Sequence, residues 1–361
     1  MATPNPLLDL DPGIGQVAAS FRFDVCSAAT PTSIPVVHPI RTNMQIVNNP
    51  YANVRRVLRS FEIPPDESEQ IDLFRDRICP KLVLEDGTVW PLGEFLFVTE
   101  ERTVATSGRP LRTTLFDQTW LLTLPRINHF GVDEGQDPIA AIVELAGEVN
   151  ALDPENFVVI QSGEVPLVNS PISWPSGTPR LRMMNELAEL AGYFPPYFDH
   201  EGSLIVRPIG PFQVTEDALV YDSTSPRIKA GTYVVNPNRL QAPNTYVALN
   251  SGSQGGEISG VFRIPSNEPN SVERRGIEIP EIIRVQGPNS ASNSTAIAQA
   301  RAEADPRAFE QVQFVSAPDP RHDTFDVVVV DGTTYWEADW SMELRPGGNH
   351  VHNLRRVSSA N

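Results

Sequence analysis

From Lys81 the chain reads KLVLEDGTVWPLGEFLFVTEERT, two apolar runs flanking Asp86-Gly87. Such a pair between hydrophobic stretches predicts a hairpin closed by a two-residue turn. LRTTLFDQTWLLTL, after the turn signal Ser107-Gly108-Arg109-Pro110, predicts a further strand. The same grammar returns in FDVVVVDGTTYWEADWSMELRPGGNHVHNLRRV, where Asp331-Gly332 makes the turn. There Trp336, Ala338, Trp340, Met342 and Leu344 alternate with Glu337, Asp339, Ser341 and Glu343. Period-two alternation predicts a half-buried strand with one apolar face. Pro346-Gly347-Gly348 then turns the chain into a last strand ending near Val357.

VLEDGTVW (83–90) and VVVDGTTY (328–335) both set Asp-Gly-Thr between a β-branched run and an aromatic residue. Either one β unit is duplicated or two hairpins converge on the same turn, and the letters alone do not choose.

Helical periodicity is sparse. In GQDPIAAIVELAGEVNAL, Ile139, Ile142, Val143 and Ala146 share a face, with Asp137 as N-cap and Pro138 at the first position. In TPRLRMMNELAELAG, Thr178 is the expected cap and Pro179 the opener. Leu181, Met184, Leu187, Ala188 and Ala191 form its stripe, and Gly192 ends it. An Ala-rich run near 294–304 has good helix propensity, and its small apolar face places it on a surface. NSGSQGGEISG, PSNEPNSVERRG and GPNSASNSTA read as long polar loops.

Composition narrows the class. The 361 residues suffice for two to four domains, and 34 prolines with 23 glycines favour short elements joined by turns. A net charge of −17 argues against wrapping nucleic acid. Lys81 and Lys229 are the only lysines, leaving few Schiff-base candidates. Cys26 and Cys79 lack metal-ligand spacing and read as reduced, buried thiols. No apolar run is long enough to span a membrane, and the start lacks the pattern of a signal peptide.

Candidate chemistry is thin. Asp199-His200-Glu201 lies between a helix end and SLIVRP, where Asp199 and Gly202 are turn formers. It reads as a hairpin tip in which Tyr197-Phe198 pair with Leu204-Ile205-Val206. Gly13-Ile-Gly15-Gln-Val-Ala18 matches a dinucleotide fingerprint in letters, but no amphipathic helix follows and no acid lies about twenty residues on. His350-Val-His352 puts two imidazoles on one strand face, a spacing zinc can use, with His322-Asp323 the eye-catching source of a third ligand. Exposed strand histidines are the preferred reading. Asn293-Ser-Thr295 is a sequon without a secretory context. No nucleophile elbow, phosphate loop or zincin motif occurs. The expectation is therefore no catalytic, cofactor-binding or metal site, although two distant carboxylates of a glycosidase would need no local motif.

APDPRHDTFDVVVVDGTTYWEADWSMELRPGGNHVHNLRRV resembles the terminal domain of phage tail hub, or tail-tip, proteins. MNELAELAGYFPPYFDHEGSLIVRP is similar to that family's helix-then-hairpin unit, and NTYVALNSGSQGGEISGVFRIPSNEPNSVERRG to its segment before AIAQARAEA. WPLGEFLFVTEERT, FDQTWLLTLPRI and DPIAAIVELAGEV follow the expected order, so the resemblance runs from about Phe21 onward. It implies a mainly β fold with α+β parts: two tail-tube-like β-barrel or sandwich domains plus peripheral helix–hairpin domains. On this chain it implies an arm at 1–20, a first tube-like domain at 21–127 and a helix–hairpin domain at 128–214. A second tube-like domain would combine 215–249 with 309–357, around an insertion at 250–308.

The implied function is structural: a virion baseplate-hub subunit at the distal tail tip, made in the host cytoplasm, with no enzymatic activity and no cofactor. Three copies would form a pseudo-sixfold ring that docks on a hexameric tube. Its partners would be the tail tube or distal tail protein and other tail-tip or fibre proteins, with viral DNA passing an acidic lumen unbound. Loops at 252–266 and 267–276 are the expected contacts. The chain ends at Asn361 without the long extension of some tail-tip members, so receptor-binding or peptidoglycan-cleaving modules would lie on other proteins. The alternatives are a carbohydrate-binding or cell-wall-hydrolysing tail protein, supplied by Trp90, Trp120, Trp174, Trp336 and Trp340, and a metal-dependent enzyme using His350 and His352.

Overall fold

The structure is a computed structural model that describes residues 19–27, 36–40, 43–101, 110–149, 158–160, 167–168, 171–210, 212, 214, 218–225, 227–237, 241–250, 258–285, 291–305 and 310–357. Gly13 to Ala18 and the expected turn at 107–109 lie outside the described residues. The mainly β class holds, without a closed barrel among the described residues.

The first unit comprises β1 (Ala19–Ser27), β2 (Val36–Val37), β3 (Gln45–Asn48), β4 (Arg56–Ile63), β5 (Asp76–Leu84), β6 (Val89–Pro91), β7 (Phe95–Glu101) and β8 (Leu111–Asp117). A helical turn, α1 (Pro65–Ser68), follows β4, and another, α2 (Thr119–Leu122), follows β8. The strand expected through Leu124 thus stops at Asp117, where the backbone turns helical. Phe23, Ile46, Leu58, Phe61, Ile78, Leu82, Phe95 and Leu115 fill its core.

A helical unit follows, with β9 (Phe130–Val132), α3 (Pro138–Gly147), β10 (Val158–Ile160), β11 (Ile172–Trp174), α4 (Arg180–Ala191), β12 (Tyr197–Phe198) and β13 (Leu204–Val206). Asp137 caps α3 by accepting from the Ile139 amide at 2.8 Å. Thr178 does not cap α4: its hydroxyl donates back to the Pro175 carbonyl at 2.8 Å, and Pro179 takes the cap position with no side-chain bond. Gly192 ends α4 at φ 74°. The apolar stripes of the two helices close one core.

The last third holds β14 (Leu219–Tyr221), β15 (Val234–Pro237), β16 (Thr245–Asn250), β17 (Ile258–Arg263), the turn α5 (Val272–Arg275), β18 (Pro280–Val285), α6 (Ala291–Ala304), β19 (Glu310–Ser316), β20 (Val327–Val330), β21 (Thr333–Glu343) and β22 (His350–Arg356). The three stretches expected to be loops contain β17, α5 and the start of α6. Strands β17-β16-β18 form a small sheet covered by α6. The helix is therefore not superficial: Ser294, Ile297, Ala298 and Ala304 are buried. Small side chains and Gly260 allow this, since a Cβ on Gly260 would lie 2.1 Å from the Thr295 nitrogen.

The strand pairing answers the question of duplication. One run of neighbours is β3-β4-β8-β7-β5-β1, with β6 extending β7 along β5. The other is β15-β19-β22-β21-β20-β14. Matching β1, β3, β4, β5, β6/β7 and β8 to β14, β15, β19, β20, β21 and β22 preserves both chain order and neighbours. Only β14–β20 differs in sense, being parallel where β1–β5 is antiparallel. The turns also differ. Val330 pairs with Thr333, and Asp331 and Gly332 both have positive φ, a type I′ turn. Around Asp86-Gly87 the Leu84 amide instead donates to the Thr88 carbonyl at 2.9 Å, so the expected two-residue turn is a three-residue loop.

The two units share one fourteen-stranded sheet because the distal half of β21 pairs with β3, Trp340 opposite Asn48 through Glu343 opposite Gln45. A bulge between Glu337 and Asp339 breaks the expected alternation. Before it Tyr335 packs in the second unit's core; after it Trp340, Met342 and Leu344 enter the first's. Cys26 and Cys79 are also not free thiols. The β1–β5 register brings their Cα atoms to 6.4 Å and the sulfurs form a disulfide.

Candidate functional site

The densest chemistry lies where the two β units and the helical unit meet. The β12–β13 hairpin has the expected tip: Asp199 Oδ1 accepts from the Glu201 and Ser203 amides at 2.9 and 2.8 Å. His200 points inward from it. Its Nδ1 accepts from Arg56 at 3.1 Å and its Nε2 donates to the His322 carbonyl at 2.6 Å. Both nitrogens are thus committed in the neutral form, and burial lowers the ring's pKa. The Arg56 guanidinium also pairs with Asp323 and lies 5.5 Å from the Trp340 ring centre. One residue from each unit therefore meets at this point. Around it Phe194, Tyr197, Ile205, Phe325, Trp336 and Ala338 form an apolar cluster, with Phe194 and Phe325 stacked at 3.9 Å.

Behind the junction lies a histidine cluster. His322, His350 and His352 are all fully buried, so the preferred reading of exposed strand histidines is wrong. The reason is tertiary: β22 is flanked by β19 and β21, and the 317–326 segment, carrying His322, brings its imidazole onto the β22 histidines. His322 and His350 ring centres lie 4.1 and 4.0 Å from that of His352. Glu337 is equally buried. Sequence reasoning placed it on a solvated strand face, and no local signal could have corrected that.

The Glu337 carboxylate contacts both neighbours, His322 at Nδ1 and His352 at Nδ1 at 2.7 Å. The outer nitrogens are also engaged: His322 Nε2 with the Tyr221 hydroxyl at 2.7 Å, His352 Nε2 with the Ser316 hydroxyl at 2.9 Å. Burial alone would raise the Glu337 pKa, but the two imidazoles outweigh it and hold the carboxyl at about 2. Burial works against the His322 cation as well; the Glu337 carboxylate overcomes it and raises that pKa. Burial lowers the pKa of His352, and lowers that of His350 well below the usual value. This is a sealed polar hub.

The rival site features come apart. None of the five tryptophans is exposed, and Trp336 and Trp340 are core residues. Asn293 and Thr295 sit within α6.

No family model matches the chain, and no curated protein resembles it in sequence. Solved structures do match. A tail protein from Neisseria meningitidis MC58 superposes with a TM-score of 0.61 at 14% identity, over 93% of this chain and 97% of that one. The 43 kDa tail protein of prophage MuSo2 from Shewanella oneidensis gives 0.60 at 12%, over 93% and 98%. Prophage tail protein gp18 from Listeria monocytogenes EGD-e gives 0.56 at 9%, over 94% and 95%. The chain has the fold of phage tail proteins. The half-lidded Francisella PdpA-VgrG complex contains a chain matched at 0.55 and 9% identity, over 98% of this chain and 61% of that one.

Proposed function

We propose that this chain is a non-enzymatic structural subunit of a virion tail tip, a hub in which three copies close a ring of six tube-like β units. The observation that carries the reading is the repeated strand order and the junction between its two copies. Within the chain, β21 of the second unit recruits β3, the outer strand of the first, along its distal half. The equivalent places elsewhere are open edges among the described residues. Strand β7 pairs with β5 only through Phe95 and Leu96, leaving 97–101 without a neighbour on that side. The counterpart of β3 is β15, which pairs only with β19 and exposes Val234 and Val235. Joining β7 of one copy to β15 of the next repeats the internal junction, and a closed ring removes every such edge.

In this reading residues 21–127 and 215–237 with 309–357 are the tube-like units, while 128–214 and 241–308 are peripheral. The expected boundary at 249 moves back because β16 pairs with β17 and β18 in the small sheet. The loops at 252–266, of which 252–257 lie outside the described residues, and at 267–276, which follows β17 and carries α5, face other tail-tip proteins. The tail tube or distal tail protein docks on the ring, whose acidic lumen passes DNA without holding it. The phage-tail fold and the net charge of −17 support this assignment. A glycan-binding role draws no such support from the tryptophans, none of which is exposed.

Native mass spectrometry of the full chain is expected to give three times 39.8 kDa. Cysteines placed at Val98 and Val235 should then cross-link copies into covalent trimers. A chain that remains monomeric at high concentration and releases sugar from cell-wall glycan would overturn the proposal.

A further inference from the structure

We propose that His322, Glu337 and His352 bind a divalent transition metal of the zinc class as a structural ion. The three donors converge, with one ligand atom from each within 4.8 Å of the others. Two imidazoles and a carboxylate are a donor set that zinc takes readily.

Proton placement carries the argument further. The Ser316 hydroxyl has one proton, and it donates to the Ala317 carbonyl at 2.7 Å. His352 Nε2, 2.9 Å from the same oxygen, must then be the donor to it. Its inner Nδ1 faces a Glu337 oxygen at 2.7 Å. If the ring is neutral, that contact sets a lone pair against a carboxylate. If the ring is an imidazolium, its charge is buried 4.1 Å from the His322 ring, whose Nδ1 faces the same carboxylate. A divalent ion between the inner nitrogens and the carboxylate removes both difficulties, because each lone pair then becomes a ligand.

The outer contacts already have the form such a site requires. A ligating histidine donates its other N–H to a nearby acceptor, which fixes its tautomer. The Tyr221 hydroxyl, 2.7 Å from His322 Nε2, and the Ser316 hydroxyl, 2.9 Å from His352 Nε2, stand where those acceptors would be needed. Donors around a tetrahedral zinc stand about 3.3 Å apart, given bonds of about 2.0–2.1 Å. A small rotation of the Glu337 carboxylate opens its 2.7 Å contact to that spacing. His350 is not a ligand in this rotamer, since its Nδ1 accepts from the Asp319 amide at 3.3 Å. Its buried Nε2–H has no partner among the described residues and would be satisfied by a water in the fourth position. Full burial assigns the ion a stabilising role: it ties the 317–326 segment to β21 and β22.

The test does not depend on a tail role. Full-length protein, unfolded in chelator and refolded with or without zinc or cobalt(II), is analysed for metal content, visible absorption and melting temperature. One metal per chain, cobalt bands of low-coordinate geometry and a higher melting temperature with metal are expected. His352→Gln and Glu337→Gln should lose the metal, while His38→Gln, at an exposed site, should retain it. Absence of stoichiometric binding by the wild-type chain overturns the proposal even if no cluster variant folds. Binding that survives the cluster substitutions also overturns it.

Discussion

At the residue scale, buried charge is managed by partners drawn from distant segments. Asp117, at the end of β8, accepts from Thr119, and its Oδ2 is buried without a hydrogen-bond partner among the described residues. Burial raises its pKa from 3.8 to about 6, against the pull of Thr119 and the nearby Arg56 and Arg55. The folded state therefore holds this proton more tightly than the unfolded chain. The resulting stability is fully present below pH 3.8 and is lost as the pH rises through about 6. The shift corresponds to about 3 kcal/mol. Asp117→Asn is expected to abolish that decline, as read by urea unfolding across a pH series. A variant with an unchanged pH profile would contradict it. Neither this carboxylate nor Glu337 looks special in the sequence, because desolvation depends on what covers a side chain.

At the scale of elements, small residues decide which surfaces can meet. The Ala-rich α6 has no strong apolar stripe, yet it is packed, because β17 presents Gly260 beneath Ser294 and Thr295. Gly260→Ala should destabilise the protein by about 1–3 kcal/mol, the usual cost of overpacking. Hydrogen exchange should locate the loss in α6 and the β16–β17–β18 sheet, leaving the main sheet protected. Uniform loss across the chain would argue against a local cause.

The legibility of each element followed the range of its determinants. The α3 cap at Asp137, the stripe of α4 and the Asp331-Gly332 turn depend on residues a few positions apart, and their sequence signals were sufficient. The disulfide, the burial of His350 and the bulge in β21 depend on strands brought together from far along the chain. Thr178 shows a local failure: Pro179 could occupy the cap position, while the threonine hydroxyl found a nearer carbonyl.

At the scale of the molecule, one arginine connects the parts. Arg56 reaches His200 of the helical unit and Asp323 of the second β unit, although all but 1% of its side chain is buried. Arg56→Leu leaves Asp323 without its cation and should cost about 3–5 kcal/mol, as breaking a buried pair does. Limited proteolysis is expected to release the helical unit sooner than in wild type. Unchanged cleavage would mean that the junction does not hold the units together. The full chain should also fail to retard duplex DNA at low salt, and a salt-sensitive complex would count against an acidic lumen.

The sequence by itself determined the mainly β character, the two helical stripes, the Asp331-Gly332 turn and the recurrence of Asp-Gly-Thr, all set by spacing and backbone preference over short range. Only the tertiary structure decided that the recurrence is a repeated strand order, that β21 joins the two copies, and that His322 and His352 close on one buried carboxylate. Those outcomes depend on which distant strands become neighbours, and hydrophobic periodicity specifies a face to be covered without naming what covers it.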